Sequence, residues 1–440
     1  MTPSGAASPG VGVAPGDWFG QPRGLTILFL TEMWAQFSFF GMRALLVLYV
    51  TKHLLYPQQT ASWIYGIYAA GVYLTPIFGG IITDRKLGRR LAVLIGGSVM
   101  SLGHFMMGLE SLFFMALAMI ALGNGLFLPS LSSQIDSLYG QHDARRKSAF
   151  NIYYVGVNLG AFAAPLVVGT VGELFGFHWG FSLAGLGMLI GLATYMAGGR
   201  YLPPEPGRSA SIPAPAPAAK AAAQPEGLLR RFALLMAVAG TIVVFRGAYE
   251  QLGNTMPLWA DANIDRALTS TLTIPVTWFQ SLNSLVVIFL SPVLVARWTR
   301  LAARDRELSS VAKMAIGAAI VGLSYFIIAG AAFWAESHSV KLSWMWLAGQ
   351  VVVMTVGELY ILPVGLGLFG RLAPAGLAAT TIAGWFSAGF LGNLFAAWLG
   401  TYWTPLRHSA FFLLMGGVCL LAAALLLLIV PKARAREALA

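Results

Sequence analysis

Two opposite charges lie inside one long apolar run. Residues Gly24–Val50 read GLTILFLTEMWAQFSFFGMRALLVLYV, and they carry Glu32 and Arg43. The run is long enough to cross a bilayer. A charge at the bilayer centre costs about 2.5 kcal/mol or more, so it persists where it faces a partner or a polar cavity. At about 100° per residue, Arg43 returns to within about 20° of Glu32, with Gln36 on the same face. An acid, an amide and a base on one helical face are the chemistry of a solute pathway. A second charged group stands between two apolar runs, in Gly79–Arg90 (GGIITDRKLGRR). Its glycines permit close helix approach. Asp84 can pair with Arg85 and Arg89 across helix ends, and such pairs would break as those ends part. His104 lies in an apolar run with no acid partner and reads as packing. No His, Cys and Asp spacing of a metal or catalytic site appears, so no enzyme activity, cofactor or metal is expected.

These side chains must be held by membrane helices. The chain has 440 residues, 57% of them apolar and 10% charged, with mean hydropathy +0.72. A soluble protein of this length needs more charge to cover its surface. Apolar runs fall at about 24–50, 60–82, 90–109, 112–138, 148–173, 179–200, 229–258, 273–297, 310–333, 343–370, 377–402 and 408–431. This gives six spans (24–200), a Pro/Ala-rich linker over 201–227, and six more spans (228–431). A Gly/Pro-rich lead-in over 1–23 reads as disordered, and 432–440 as a basic tail. The net charge of +11 could point to nucleic acid. Its distribution excludes that reading. Arg85, Lys86, Arg89, Arg90, Arg145, Arg146, Lys147, Arg230, Arg231, Arg297, Arg300, Arg304, Arg306 and Lys432 share one side, against Lys52, Arg266, Lys341 and Arg407 on the other. The positive-inside rule then puts both termini in the cytoplasm, for a multi-pass protein of the plasma (inner) membrane. The single cysteine, Cys419, lies in the last run and leaves no disulfide framework.

Longer motifs narrow the class. The 79–90 loop resembles the loop signature of the major facilitator superfamily. Residues 148–192, with Tyr154-Val155-Gly156-Val157-Asn158-Leu159-Gly160 at their core, resemble proton-dependent oligopeptide transporters of that superfamily. Further matches are Tyr65-Gly66-Ile67-Tyr68 with Tyr73, Gly123-Asn124-Gly125-Leu126-Phe127, Tyr249-Glu250-Gln251, Phe279-Gln280-Ser281-Leu282-Asn283 and Gly357-Glu358-Leu359-Tyr360. The resemblance implies an all-α membrane protein, twelve helices in two six-helix halves that rock about a midplane site. Bacterial members usually carry two extra helices between the halves. The linker here is too short and polar for them. By resemblance, Glu358, Asn158 and Asn283 hold the amino end and backbone of a peptide, while Tyr65, Tyr68 and Trp385 line the site. Arg43 and Glu250 match a pair that closes the extracellular side and opens when the acid is protonated.

The departures are as informative. The family's first helix carries Glu-x-x-Glu-Arg-Phe-x-Tyr-Tyr, but the same positions here start at Glu32 and continue with Ala35, Gln36, Phe37, Phe39 and Phe40. Leu128-Pro129-Ser130 replaces the family's Lys-Pro-Asn. The expected receptors of a peptide carboxylate are therefore absent at Gln36 and Leu128. One base has appeared: Arg246, where the family usually has tryptophan, sits four residues before Glu250. It can neutralise Glu250 on one helical face or serve as a relocated anion receptor. The expected function is proton-coupled import of di- or tripeptides or peptide-like solutes by a monomer, with altered recognition of the carboxylate end. Glu32, Arg43, Glu250 and Arg246 are the candidate coupling and gating residues. A divergent family member moving a non-peptide or modified-peptide solute, with weak or no proton coupling, is one alternative. A non-transporting membrane receptor or scaffold is another.

Overall fold

The computed structural model describes residues 17–140, 143, 145–205, 225–304, 306–373 and 377–437. Most of the expected lead-in and most of the 201–227 linker lie outside them. Twelve long helices are described. In the first half they are α1 (Arg23–Leu48, extended by a π-helical turn Tyr49–His53), α2 (Gln58–Ile82), α3 (Arg89–Met106), α4 (Phe113–Asp136), α5 (Arg146–Ala164, continuing through a π-turn to Phe175) and α6 (Phe177–Ala197). The second half has α7 (Pro225–Tyr249), α8 (Trp278–Ala302), α9 (Ser310–His338), α10 (Trp344–Leu359, resuming as Leu362–Leu372), α11 (Ala378–Gly400) and α12 (His408–Glu437). Among the described residues, eleven are long and apolar enough to cross a membrane. The exception, α3, opens on Arg89 and Arg90 and has only 18 residues, yet it packs between α4 and α6.

Local chemistry sets the joints. Pro22 and Pro57 precede α1 and α2, where a missing N–H costs nothing. Gly176 joins α5 to α6 at φ 116°, a backbone region that side chains rarely adopt. Two breaks differ from the continuous runs read in the sequence. Helix α10 stops after Leu359 because Pro363 cannot continue the ladder, and it resumes at Leu362. Helix α7 gives way at Glu250 to a 3₁₀ turn, Glu250–Leu252, followed by a short helix Met256–Asn263. The next span starts at Trp278, later than the run from 273.

Each half buries its own core. Leu28, Val93, Met100, Phe127, Leu45, Tyr49, Phe113 and Phe181 pack in the first half. Apart from Leu48, the second half's main cluster is its own, with Phe245, Trp259, Tyr325, Met354 and Phe412. Phe78, Leu122, Phe289, Phe333 and Leu428 instead face outward, as a lipid-facing surface requires. The halves meet chiefly through α2 against α11 and α5 against α8. Gly66 brings α2 close: a Cβ there would sit 2.8 Å from the Asn393 carbonyl oxygen.

At one end the halves are sealed. The Glu173 carboxylate accepts the backbone N–H groups of Val276 and Thr277, both at 2.9 Å. Trp278 Nε1 donates to Thr170 Oγ1 at 2.7 Å, and Ser62 Oγ to Asn254 Oδ1 at 3.0 Å. Lys52 pairs with Asp261 at 2.5 Å, and Gln58 Nε2 donates to the Gly400 carbonyl at 3.0 Å. Between described residues, no hydrogen bond or ion pair joins the halves at the opposite end, where the 79–90 loop lies. There Arg89 donates to Ser133 O and Ser137 Oγ of its own half, while Asp84 and Arg85 are exposed and make no ion pair among the described residues. Arg145 spans Asp17 and Asp143 and holds the Asp143 carboxyl below the ordinary carboxylate range.

Candidate functional site

Between the sealed and unsealed ends, two helices bring their charges to one point and a third supplies tyrosines to them. Glu250, at the 3₁₀ end of α7, is 3% exposed and binds two guanidiniums. Arg43 of α1 pairs with Glu250 Oε2 from the other half, and Arg246 Nη1 donates to Oε1 at 2.6 Å. Each arginine also has a tyrosine of α2. Arg43 Nε donates to Tyr65 Oη at 2.9 Å, and Arg246 Nη2 donates to Tyr73 Oη at 2.8 Å. The rings lie beneath the cations, 4.6 Å from the centroid for Arg246 over Tyr73. Two cations on one carboxylate leave the cluster with one surplus positive charge. Burying it is tolerable because each guanidinium also finds a phenol oxygen and a ring face.

A second acid, Glu358 of α10, stands beside Asn283 of α8. Asn283 Nδ2 donates to Glu358 Oε2 at 2.6 Å and to Thr355 Oγ1 at 2.9 Å. Glu358 sits on the last turn before the break in α10, so Pro363 helps to fix where that turn ends. Arg43, Glu250, Tyr249, Phe40, Gln280 and Asn283 line a cavity of about 60 Å³. Small-molecule sites usually run from about 300 Å³, so a dipeptide does not fit this conformation. A much larger hollow, about 840 Å³, opens beside Lys313, Glu307 and Arg371 in the second half. It contains none of these residues.

The other named residues stand apart from the cluster. Glu32 and Arg43 share a helix but do not meet. Glu32 is 1% exposed, its Oε1 accepts Gln36 Nε2 at 2.7 Å, and the Tyr153 phenol lies beside its carboxylate. Asn158 Nδ2 donates to the Tyr154 carbonyl of its own helix at 2.9 Å. The Tyr68 hydroxyl is buried without a partner, its ring stacked on Phe39. Trp385 is buried against Phe369 and closes over Gly365. Sequence reasoning passed over Glu173 and Asp261 and counted Lys52 only among the loop bases, yet the three tie the sealed end together. Their one signal was a charge at the end of an apolar run. Gly79, by contrast, makes the close approach its loop requires, against the Gly125 backbone of α4.

Comparison with known proteins places this architecture. The model of the POT family matches residues 90–216 and 218–409. The chain belongs to the POT family. Its relatives include a "Di-/tripeptide transporter" of Lactococcus lactis subsp. cremoris, 32% identical over 91% of this chain and 93% of that protein. Among solved structures, peptide transporter POT in complex with sulfate has a TM-score of 0.83 at 30% identity, covering 95% of this chain and 96% of that one. A POT family transporter in complex with 5-aminolevulinic acid also scores 0.83, at 25% identity over 95% and 98%. This POT family protein therefore has the major facilitator fold, its two halves arranged around the Arg43–Glu250–Arg246 cluster.

Proposed function

We propose that this POT family protein is a proton-coupled importer of di- or tripeptides and peptide-like solutes, sealed here at its extracellular end. The observation that carries the reading is the shared carboxylate. Glu250 neutralises one of its two guanidiniums, and the remaining positive charge borders a cavity whose far wall leads through Asn283 to Glu358. A free peptide has an ammonium at one end and a carboxylate at the other. Glu358 suits the first, and the Arg43–Arg246 pair suits the second. The receptor of the carboxylate end has thus moved from positions 36 and 128 to the start of the 3₁₀ turn on α7.

Glu250 and Glu32 are not equally suited to the proton work. Glu250 holds two cations, and protonating it would leave both uncompensated. Glu32 has no cation within ion-pair distance among the described residues, so it is the acid that takes up a proton at least cost to its neighbours. A peptide-sized site then forms as α8 and α10 of the second half move relative to α1 and α2 of the first, and alternating access follows from the same rocking of the halves. The protein sits in the inner membrane with both termini cytoplasmic, and it works as a monomer.

The uncharged Gln36 and Leu128 favour a second reading, in which amidated or capped solutes are the substrates. Calorimetric titration of dialanine and of its C-terminal amide into the wild type and Arg246→Gln separates the two. A relocated receptor predicts that dialanine binds the variant about tenfold more weakly, near 1.4 kcal/mol, while the amide is unaffected. Tighter binding of the amide than of dialanine by the wild type, with no change in the variant, would establish the second reading instead.

A further inference from the structure

A cluster at the sealed end takes no part in this account. His53 closes the π-helical turn after α1, Glu110 opens the turn before α4, and His178 lies in the first turn of α6. No two are close in sequence, which is why their spacing gave no sign of a metal site. The fold brings one ligand atom from each to within 4.8 Å of the others. His53 Nε2 and Glu110 Oε1 are 2.8 Å apart, and the two imidazole rings cross at 86° with centroids 4.9 Å apart. The His178 Nδ1 atom is buried and has no hydrogen-bond partner. An orphaned buried nitrogen costs about 1–3 kcal/mol, a debt that a metal bond removes.

We propose that His53, Glu110 and His178 form a site for a divalent transition metal of the zinc type. Two imidazoles and one carboxylate suit Zn²⁺, Co²⁺ or Ni²⁺ and not Ca²⁺ or Mg²⁺, which take oxygen ligands. Tetrahedral zinc holds N and O donors at about 2.0–2.2 Å, hence about 3.3 Å from one another. The ligand atoms start within 4.8 Å of one another, so side-chain rotations would bring them to that spacing, and Glu110, whose side chain is 61% exposed, has room to turn. Three protein ligands leave the fourth position open to water. The site braces three elements of the first half. It adjoins Lys52, whose bridge to Asp261 joins the halves. The competing account is aromatic packing alone, since Tyr49 stacks on His53 and Phe177 meets it edge-on.

Full-length protein without an affinity tag, titrated with ZnCl₂ alone in detergent and chelator-free buffer, tests the proposal. One Zn²⁺ per chain with a micromolar Kd is expected, weakened tenfold or more by His53→Ala and by His178→Ala. An unchanged Kd in the double variant, or no binding up to millimolar Zn²⁺, would overturn it. Should the variants misfold, the Co²⁺ spectrum of the unaltered protein decides. Intense visible bands of a four-coordinate ion support the site, and weak six-coordinate bands point to aromatic packing only.

Discussion

At the residue scale, the unequal treatment of two buried acids is the main lesson. Glu250 carries two guanidiniums, and Glu32 has one amide. Charge arithmetic therefore predicts opposite responses to the same isosteric change. Glu250→Gln leaves buried Arg246 and half-buried Arg43 without an anion, an error worth about 3–5 kcal/mol, so its thermal midpoint in detergent falls by several degrees. Glu32→Gln removes a carboxylate that no cation balances, and its midpoint stays near or rises above that of the wild type. Equal losses in the two variants would contradict the assignment. Sequence alone brought Arg43, Glu250 and Arg246 into one list, because charges in apolar runs are conspicuous and the family pattern pairs the first two. It could not show that Tyr65 and Tyr73 cap the guanidiniums, since a tyrosine in a membrane helix reads equally well as packing.

At the element scale, the ends of helices carry the gating chemistry. Glu173 receives two backbone N–H groups at the start of α8 and the Thr277 hydroxyl at 2.8 Å. These are charge-assisted bonds, about 1.5–3 kcal/mol each, and they lock α5 to the other half. Glu173→Gln weakens that lock and shifts the population toward opening of the sealed end. Spin labels at Gln59 and Arg407, in a background where buried Cys419 is replaced by alanine, should report a longer-distance population in the variant. An unchanged distance distribution would show that the lock lies elsewhere. This contact was illegible in the sequence because its acceptor is one side chain and its donors are backbone groups some hundred residues away. Helix existence was legible throughout, since spanning runs are long and apolar. Helix interruption was not, at Pro363 and at the Glu250 turn, because an apolar run looks the same whether the helix within it continues or breaks.

At the scale of the whole molecule, two separately cored halves meet along α2–α11 and α5–α8, and polar contacts between them gather toward one end. That asymmetry is what a two-state transporter requires: contacts that hold one end closed must break for it to open. The 79–90 loop, with Asp84 and Arg85 exposed, lies at the other end and is available to pair when that end closes. The cavity of about 60 Å³ beside Arg43 belongs to a conformation without room for cargo, and filling it calls for movement of one half against the other. The central claim, proton-coupled import of peptides through this cluster, is tested most directly by uptake of labelled dialanine into proteoliposomes under an imposed pH gradient. The account predicts accumulation above equilibration when the lumen is alkaline, collapse with a protonophore, and loss of accumulation without loss of exchange in Glu32→Gln. Uptake that only equilibrates, at the same rate with or without the gradient, would contradict it.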